Sequence, residues 1–389
     1  PPPHRDHTRA ARPLQTLTGA PVVSAGPHRA ARSLHAGETA RMENLPFRVG
    51  GYPYRQALCR RQERVPGAMA LIFDRDFDPR HGDAVEIVPG VRRVTAPNSG
   101  PFTFRGTNTY LVGDRDLVVI DPGPDDAAHL RALRDAIGGA RVSTILVTHT
   151  HRDHTLAARP LQALSGAPIA SAGPHRAARP LHTGETARME AGGDSAFVPD
   201  QIVAHGGVLE AGGFRLEAIA TPGHTANHLA FALGGTDLLF SGDHVMGWST
   251  TVVAPPDGSM RDYMSSLEVL LARPERRFLP GHGGMIADAD DYVRALREHR
   301  LLRERAIVAA VAAGLHKVPD IVAAVYPGLD DALRVAAGMS ALAHLEDLVD
   351  RGVVRADRPG IDGTYSVAGS AATSAPDSPG STSPPPERS

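Results

Sequence analysis

From residue 84 onward, short apolar runs rich in Val, Ile and Leu alternate with turns marked by Gly, Pro, Asn and Asp. Runs at 84–88, 91–95, 109–112, 117–120 and 144–147 have the length and β-branched content of strands, and 214–221, 228–233, 237–240 and 277–279 repeat the pattern in a second half. Helical periodicity fills the spaces between. One helix follows Asp121-Pro122-Gly123-Pro124 and ends at Gly138-Gly139, another spans 155–164 and stops at Ser165-Gly166, and a third spans 261–271. Strands and helices in this order predict an α/β catalytic domain over 69–290.

The pattern then changes. A long Ala- and Arg-rich amphipathic helix at 289–313 is followed by helical segments at 319–326 and 330–350. An extended pair, 353–355 and 364–367, is joined by the turn Arg358-Pro359-Gly360-Ile361-Asp362-Gly363. Three helices and a two-stranded wing predict a small winged-helix-like domain over 291–368. Its recognition segment, 330–346, has Arg334 as its one basic residue, which is poor for phosphate contacts and reads against DNA binding. A wall of the substrate site or a homodimer contact suits it better. The Ser/Pro-rich stretch 369–389 is predicted to be disordered.

The first 68 residues fit neither pattern. Residues 4–43 repeat residues 151–190 with 33 of 40 positions identical. The copy holds Asp6 and His7 but lacks the strand that precedes them in the full unit, so a solenoid is not implied. We read 1–68 as a partial duplication or assembly artefact, disordered and dispensable for activity.

The chemistry concentrates at the ends of the apolar runs. Thr148-His149-Thr150-His151-Arg152-Asp153-His154 closes one run, and Thr221-Pro222-Gly223-His224, Ser241-Gly242-Asp243 and Leu279-Pro280-Gly281-His282 close three others. Five imidazoles and two carboxylates at strand ends form the ligand set of divalent zinc and its neighbours. Alternation along a strand lets His149 and His151 reach one ion. A turn after them lets Asp153 and His154 face a second. His224 completes the first site, His282 the second, and Asp243 bridges them. Such a pair supports hydrolysis by a metal-bridging hydroxide, with Asp153 also handling the nucleophile's proton. His129, His175, His182, His205, His299, His316 and His344 read as surface or packing residues. His244 points away from the site if its strand continues. His228 is either a support behind a ligand or plainly structural. Trp248, the only tryptophan, starts a segment bordering the pocket. It either stacks on substrate or packs under its loop.

These four motifs, in this order, resemble the metallo-β-lactamase fold superfamily, and all seven positions match the two-zinc pattern of its glyoxalase II-like and RNase Z-like members. Asn98-Ser99-Gly100-Pro101-Phe102-Thr103, Gly106-Thr107-Asn108-Thr109-Tyr110-Leu111 and Asp262-Tyr263-Met264-Ser265-Ser266-Leu267 resemble the β-lactamase-like protein 2 group. The resemblance covers about 72–367. It implies an αββα sandwich with the metals at one edge, and it makes Asp121 a carboxylate that orients a ligand histidine from behind. A turn or helix-entry role for Asp121 stays open. It also implies a hydrolase. The animal member of that group cleaves single-stranded RNA, while bacterial members are named only as metal-dependent hydrolases.

Composition adjusts this picture. The 389 residues carry a formal net charge of −2, so no global basic character argues for nucleic acid. That favours a small ester, thioester or lactone as the alternative to RNA. A non-catalytic nucleic-acid-binding protein is the third reading. Arginine almost wholly replaces lysine, Lys317 being the exception, which reads as a GC-rich bacterial genome. One cysteine, Cys59, excludes an internal disulfide and suits the cytoplasm. No apolar run approaches the roughly 20 residues of a membrane span.

Overall fold

The computed structural model describes residues 71–369 except 184, 186–191 and 212. The repeated segment 4–43, the rest of 1–68 and the tail 370–389 lie outside the described residues.

Seven strands form the first sheet in chain order: β1 (Val85–Val88), β2 (Val91–Thr95), β3 (Asn108–Val112), β4 (Asp116–Ile120), β5 (Arg141–Leu146), β6 (Ile169–Ser171) and β7 (Gln201–Ile202). The pairings from β1 to β4 are antiparallel, and those from β4 to β7 are parallel. The second sheet runs β8 (Val208–Ala211), β9 (Phe214–Ala220), β10 (Leu229–Leu233), β11 (Leu238–Gly242), β12 (Arg277–Pro280), antiparallel except for β11 with β12.

Alternation along these strands builds the layers. Tyr110, Val112, Val118 and Ile120 from the first sheet meet Leu216, Ala218, Phe231 and Phe240 from the second. Their neighbours Leu111 and Val119 point outward, against Leu133 of α1 (Ala127–Ile137) and Leu161 of a later helix, α3 (Ala158–Ser165). Ile219, Leu239 and Phe278 face outward from the second sheet, against Tyr263 and Leu267 of α4 (Met260–Leu271) and Val293 and Leu296 of α5 (Ala289–Ala312). Strands covered on both faces need continuous apolar runs, which is why these segments were legible. The result is an αββα sandwich.

Two local expectations change. The helix predicted over 155–164 is a short α2 (Arg152–Thr155) followed by α3. Pro160 is tolerated in the first turn of α3 but offers no N–H to the Leu156 carbonyl, so the helical hydrogen-bond ladder does not run unbroken from α2 into α3. Strands β6, β7 and β8 were not predicted. At two to four residues each, they are too short to show a period.

The long helix α5 is shared. Val293 and Leu296 belong to the sandwich, whereas Ile307 and Val311 belong to a separate core with α6 (Val318–Val325), α7 (Asp331–Asp350) and the hairpin β13 (Val354–Ala356) and β14 (Tyr365–Val367). This is the winged-helix arrangement. Its α7 is tied back to the sandwich: Glu346 meets Arg179 at 2.5 Å and Asp347 meets Arg261 at 3.1 Å. Arg334, the one basic residue of the recognition segment, pairs with Asp331. Among the described residues no helix is long and apolar enough to cross a membrane.

Candidate metal centre

The loops at one edge of both sheets bring the seven sequence-predicted residues together. They form two groups, His149, His151, His224 and Asp243, and Asp153, His154 and His282, with the candidate donor atoms of each within 4.8 Å of one another. Asp243 lies between the groups. Its Oδ2 is 3.9 Å from His149 Nε2, 3.8 Å from His224 Nε2 and 3.2 Å from His282 Nε2, while its Oδ1 is 3.5 Å from His154 Nε2. Asp153 Oδ2 lies 3.4 Å from His154 Nε2 and 3.3 Å from His282 Nε2.

The far side of most rings is fixed by a hydrogen bond. His224 Nδ1 lies 2.7 Å from the Val252 carbonyl and His282 Nδ1 lies 3.2 Å from the Gly106 carbonyl. A carbonyl only accepts, so both rings carry a proton on Nδ1 and turn Nε2 inward. His154 Nδ1 donates to Asp121 Oδ2 at 3.0 Å. Asp121 also accepts from the Thr148 N–H at 2.7 Å and the Thr148 hydroxyl at 2.8 Å. It adopts φ 51°, a left-handed conformation that Asp tolerates better than bulkier residues. The helix-entry role left open for Asp121 falls to Asp126, whose side chain caps α1 by accepting from the His129 N–H.

Burial splits the histidines electrostatically. Loss of water holds His149 well below the ordinary imidazole range, helped by the neighbouring His154 and His151, and lowers His151 to about 3. His224 is lowered by the same cause. Burial also opposes charge on His282, yet the Asp243 and Asp153 carboxylates outweigh it and push the ring up to about 10. His154, facing Asp153, Asp243 and Asp121, is likewise raised despite burial. The first group therefore presents neutral imidazoles, the form a metal requires. In the second group the carboxylates favour any positive charge placed among the rings.

The residues fit a pair of divalent cations. His154 Nε2 and Asp243 Oδ1 are buried and have no hydrogen-bond partner among the described residues, an arrangement that costs free energy unless a cation completes it. Three ring nitrogens converge in the first group, with His151 Nδ1 3.0 Å from both His149 Nε2 and His224 Nε2. Gly281 leaves room for them. A Cβ there would stand 2.3 Å from Asp243 Oδ1 and 2.7 Å from His154 Cε1.

The remaining candidates lie outside this set. His228 stacks on His149 at 5.1 Å, its Nε2 accepts from the Asp243 N–H at 3.2 Å, and its Nδ1 meets Thr221 Oγ1. It backs two of the seven without facing the donors. The strand carrying Asp243 ends at Gly242, so alternation does not set the direction of His244; that ring is buried against Tyr263. Trp248 stacks on Phe104.

Several contributors had no role assigned from sequence. Thr107 Oγ1 donates to Asp153 Oδ2 at 3.0 Å, and Asn98 holds Thr107 through its side chain. The Asn108 amide donates to the Pro280 and Gly283 carbonyls, tying β3 to the turn that bears His282. Their signal was the pair of strings 98–103 and 106–111, which marked a resemblance without showing what each side chain touches.

Comparison with known proteins agrees with this geometry. Residues 102–282 match the metallo-β-lactamase superfamily, and 318–360 match the β-lactamase-associated winged helix domain. A β-lactamase-like protein 2 homolog of Caenorhabditis elegans is 30% identical over 282 residues, covering 70% of this chain and 89% of the relative. An atrochrysone carboxyl ACP thioesterase of Aspergillus chevalieri is 31% identical over 237 residues, covering 59% and 68%. The crystal structure of a metallo-β-lactamase family protein from Thermus thermophilus aligns with a TM-score of 0.59 at 25% identity, covering 72% of this chain and all (100%) of that one. The chain belongs to the metallo-β-lactamase superfamily of hydrolases and carries the winged helix domain associated with it.

Proposed function

We propose that the chain is a binuclear-metal hydrolase that cleaves an ester or thioester of a carboxylic acid. The observation that carries this reading is the convergence of five imidazoles and two carboxylates with two of their atoms buried and without a hydrogen bond among the described residues. His149, His151 and His224 would hold one divalent cation, Asp153, His154 and His282 a second, and Asp243 both. When bound, such a pair supplies Lewis acidity and a nucleophile at neutral pH. Zinc suits the nitrogen and oxygen donors, as do iron and manganese.

The chain's own residues do the positioning. Asp121, the Gly106 carbonyl and the Val252 carbonyl keep protons on the outer ring nitrogens, so the inner ones stay available. Thr107 holds the Asp153 carboxylate, whose side chain is 26% exposed while Asp243 is 8% exposed. Asp153 is thus the carboxylate on the substrate side, and we assign it the nucleophile's proton. In the overall reaction water adds to the acyl carbon, the C–O or C–S bond breaks, and the alcohol or thiol leaves with a proton.

The net charge of −2 and the ion-paired state of Arg179, Arg261, Arg273 and Arg277 support a small acyl substrate over a polyanion. The similarity to acyl carrier protein thioesterases points the same way. Cleavage of single-stranded RNA is the second reading, favoured by the similarity to β-lactamase-like protein 2 homologs along most of the chain. The test is thiol release from a panel of acyl thioesters by the zinc-loaded protein and by Asp243→Ala, beside cleavage of an end-labelled RNA. Thiol release by the wild type alone, insensitive to salt, supports the proposal. RNA cleavage that falls steeply with salt, without thiol release, replaces it.

A further inference from the structure

One aromatic pair is attached to the metal centre through the backbone. The rings of Phe104 and Trp248 stack with centroids 4.8 Å apart and planes 6° from parallel. Trp248 lies against the turn that bears His282: a Cβ on Gly283 would stand 3.0 Å from Trp248 Cδ1. Phe104 belongs to the loop whose next residues hold the site, through the Gly106 carbonyl to His282 and the Thr107 hydroxyl to Asp153. Phe77 backs the pair at 6.3 Å from Phe104.

Three features set this pair apart from ordinary core packing. Phe104 has φ 55°, a conformation a bulky residue seldom adopts and one that concentrates at functional sites. The Trp248 indole N–H is buried without a hydrogen-bond partner among the described residues, although buried indoles usually have one. Both rings nonetheless keep partial exposure, and Phe102 on the same loop is 48% exposed. The pair is therefore a partly exposed apolar patch, with the Arg105 guanidinium 5.4 Å from the Phe104 ring, on loops that bear on two of the seven metal-centre residues.

We propose that Phe104 and Trp248 determine specificity, forming a wall against which an aromatic acyl group of the substrate lies while its carbonyl reaches the metal centre. This rests on the ester or thioester reading above. Flat rings favour an offset aromatic partner over a small aliphatic one. The wall thus selects benzoyl-like acyl groups against acetyl.

Trp248 is the only tryptophan, so its fluorescence reports the wall without background. The experiment titrates the zinc-loaded full chain with the amide analogue of a benzoyl thioester of N-acetylcysteamine, and with the acetyl amide. In parallel, kcat/KM is measured for the two thioesters. We expect saturable quenching by the benzoyl amide at concentrations where the acetyl amide has no effect. Phe104→Leu should lower the benzoyl-to-acetyl ratio of kcat/KM about tenfold, as should Trp248→Leu, while Trp248→Phe restores most of it. Thermal melting and metal content establish that each variant is folded and loaded. Equal losses on both thioesters, or no quenching by the benzoyl amide, would overturn the wall. So would quenching by an oligouridylate alone. If the protein releases no thiol but the benzoyl amide still quenches in a Phe104-dependent way, the wall stands and the thioester reading falls. Hydrolysis of both thioesters without discrimination or quenching removes the wall and leaves that reading intact.

Discussion

Asp121 Oδ2 lies 3.0 Å from His154 Nδ1, and the same carboxylate takes both the backbone N–H and the hydroxyl of Thr148, the residue before His149. One side chain at the end of β4 thus aims a ring of one donor group and the backbone leading to the other. Loss of such supports typically weakens metal binding by about 10–100-fold. Asp121→Asn should therefore lower zinc affinity most for the group containing His154. Competition against a chromophoric chelator measures this, and wild-type affinity for both equivalents would show that Asp121 is only a turn residue.

Gly281→Ala should disable the centre without touching a ligand. The added methyl would meet Asp243 Oδ1 and His154 Cε1, one buried on a strand end and the other pinned by Asp121. Neither can retreat easily, so we expect fewer than two bound metals per chain and near-complete loss of hydrolysis. Metal content by mass spectrometry on the folded variant checks this; two equivalents with full activity would contradict the geometry.

Acid should destabilise the winged-helix region through His344 and His299. Burial lowers both to about 3, assisted at His344 by Arg300, His299, Arg351 and Arg303, and at His299 by Arg300 and Arg303. Their folded pKa values lie below the unfolded value of 6.5. Between those limits the unfolded chain binds protons that the folded chain refuses. Stability is thus present above pH 6.5 and falls as pH drops toward 3, by up to about 1.4 kcal/mol per pH unit for each histidine. His344→Leu should flatten the dependence of urea midpoint on pH between about 6.5 and 4.5. An unchanged slope would falsify the assignment.

Arg179 should hold the winged-helix region to the sandwich. Its guanidinium meets Glu185 at 2.8 Å and Glu346 of α7 at 2.5 Å, both partly buried. Burial raises the Glu346 carboxyl even with Arg179 beside it, so removing the cation leaves a costly charge. We expect Arg179→Met to lose about 2 kcal/mol, and Glu346→Gln in the same chain to recover part of it. Urea unfolding of the two single variants and the double variant gives the coupling, and strict additivity would mean that the contact contributes nothing.

The sequence by itself determined the main strands, because apolar runs such as 109–112, 117–120 and 228–233 suit strands covered on both faces, while the αββα layering was an expectation from the family resemblance. It also singled out the seven His and Asp residues that the fold brings together, since five imidazoles and two carboxylates at strand ends share one chemistry. Tertiary structure decided what lies behind the donors. Asp121 and His154 are 33 positions apart, Thr107 and Asp153 are 46 apart, and Gly106 and His282 are 176 apart. No local period encodes such distances; they arise only when the two sheets pack and their loops meet at one edge. The same holds for the Phe104–Trp248 stack. Hydrophobic patterning says which face a residue takes, whereas a hydrogen bond or a ring contact between distant loops depends on angstrom-scale placement that patterning does not carry.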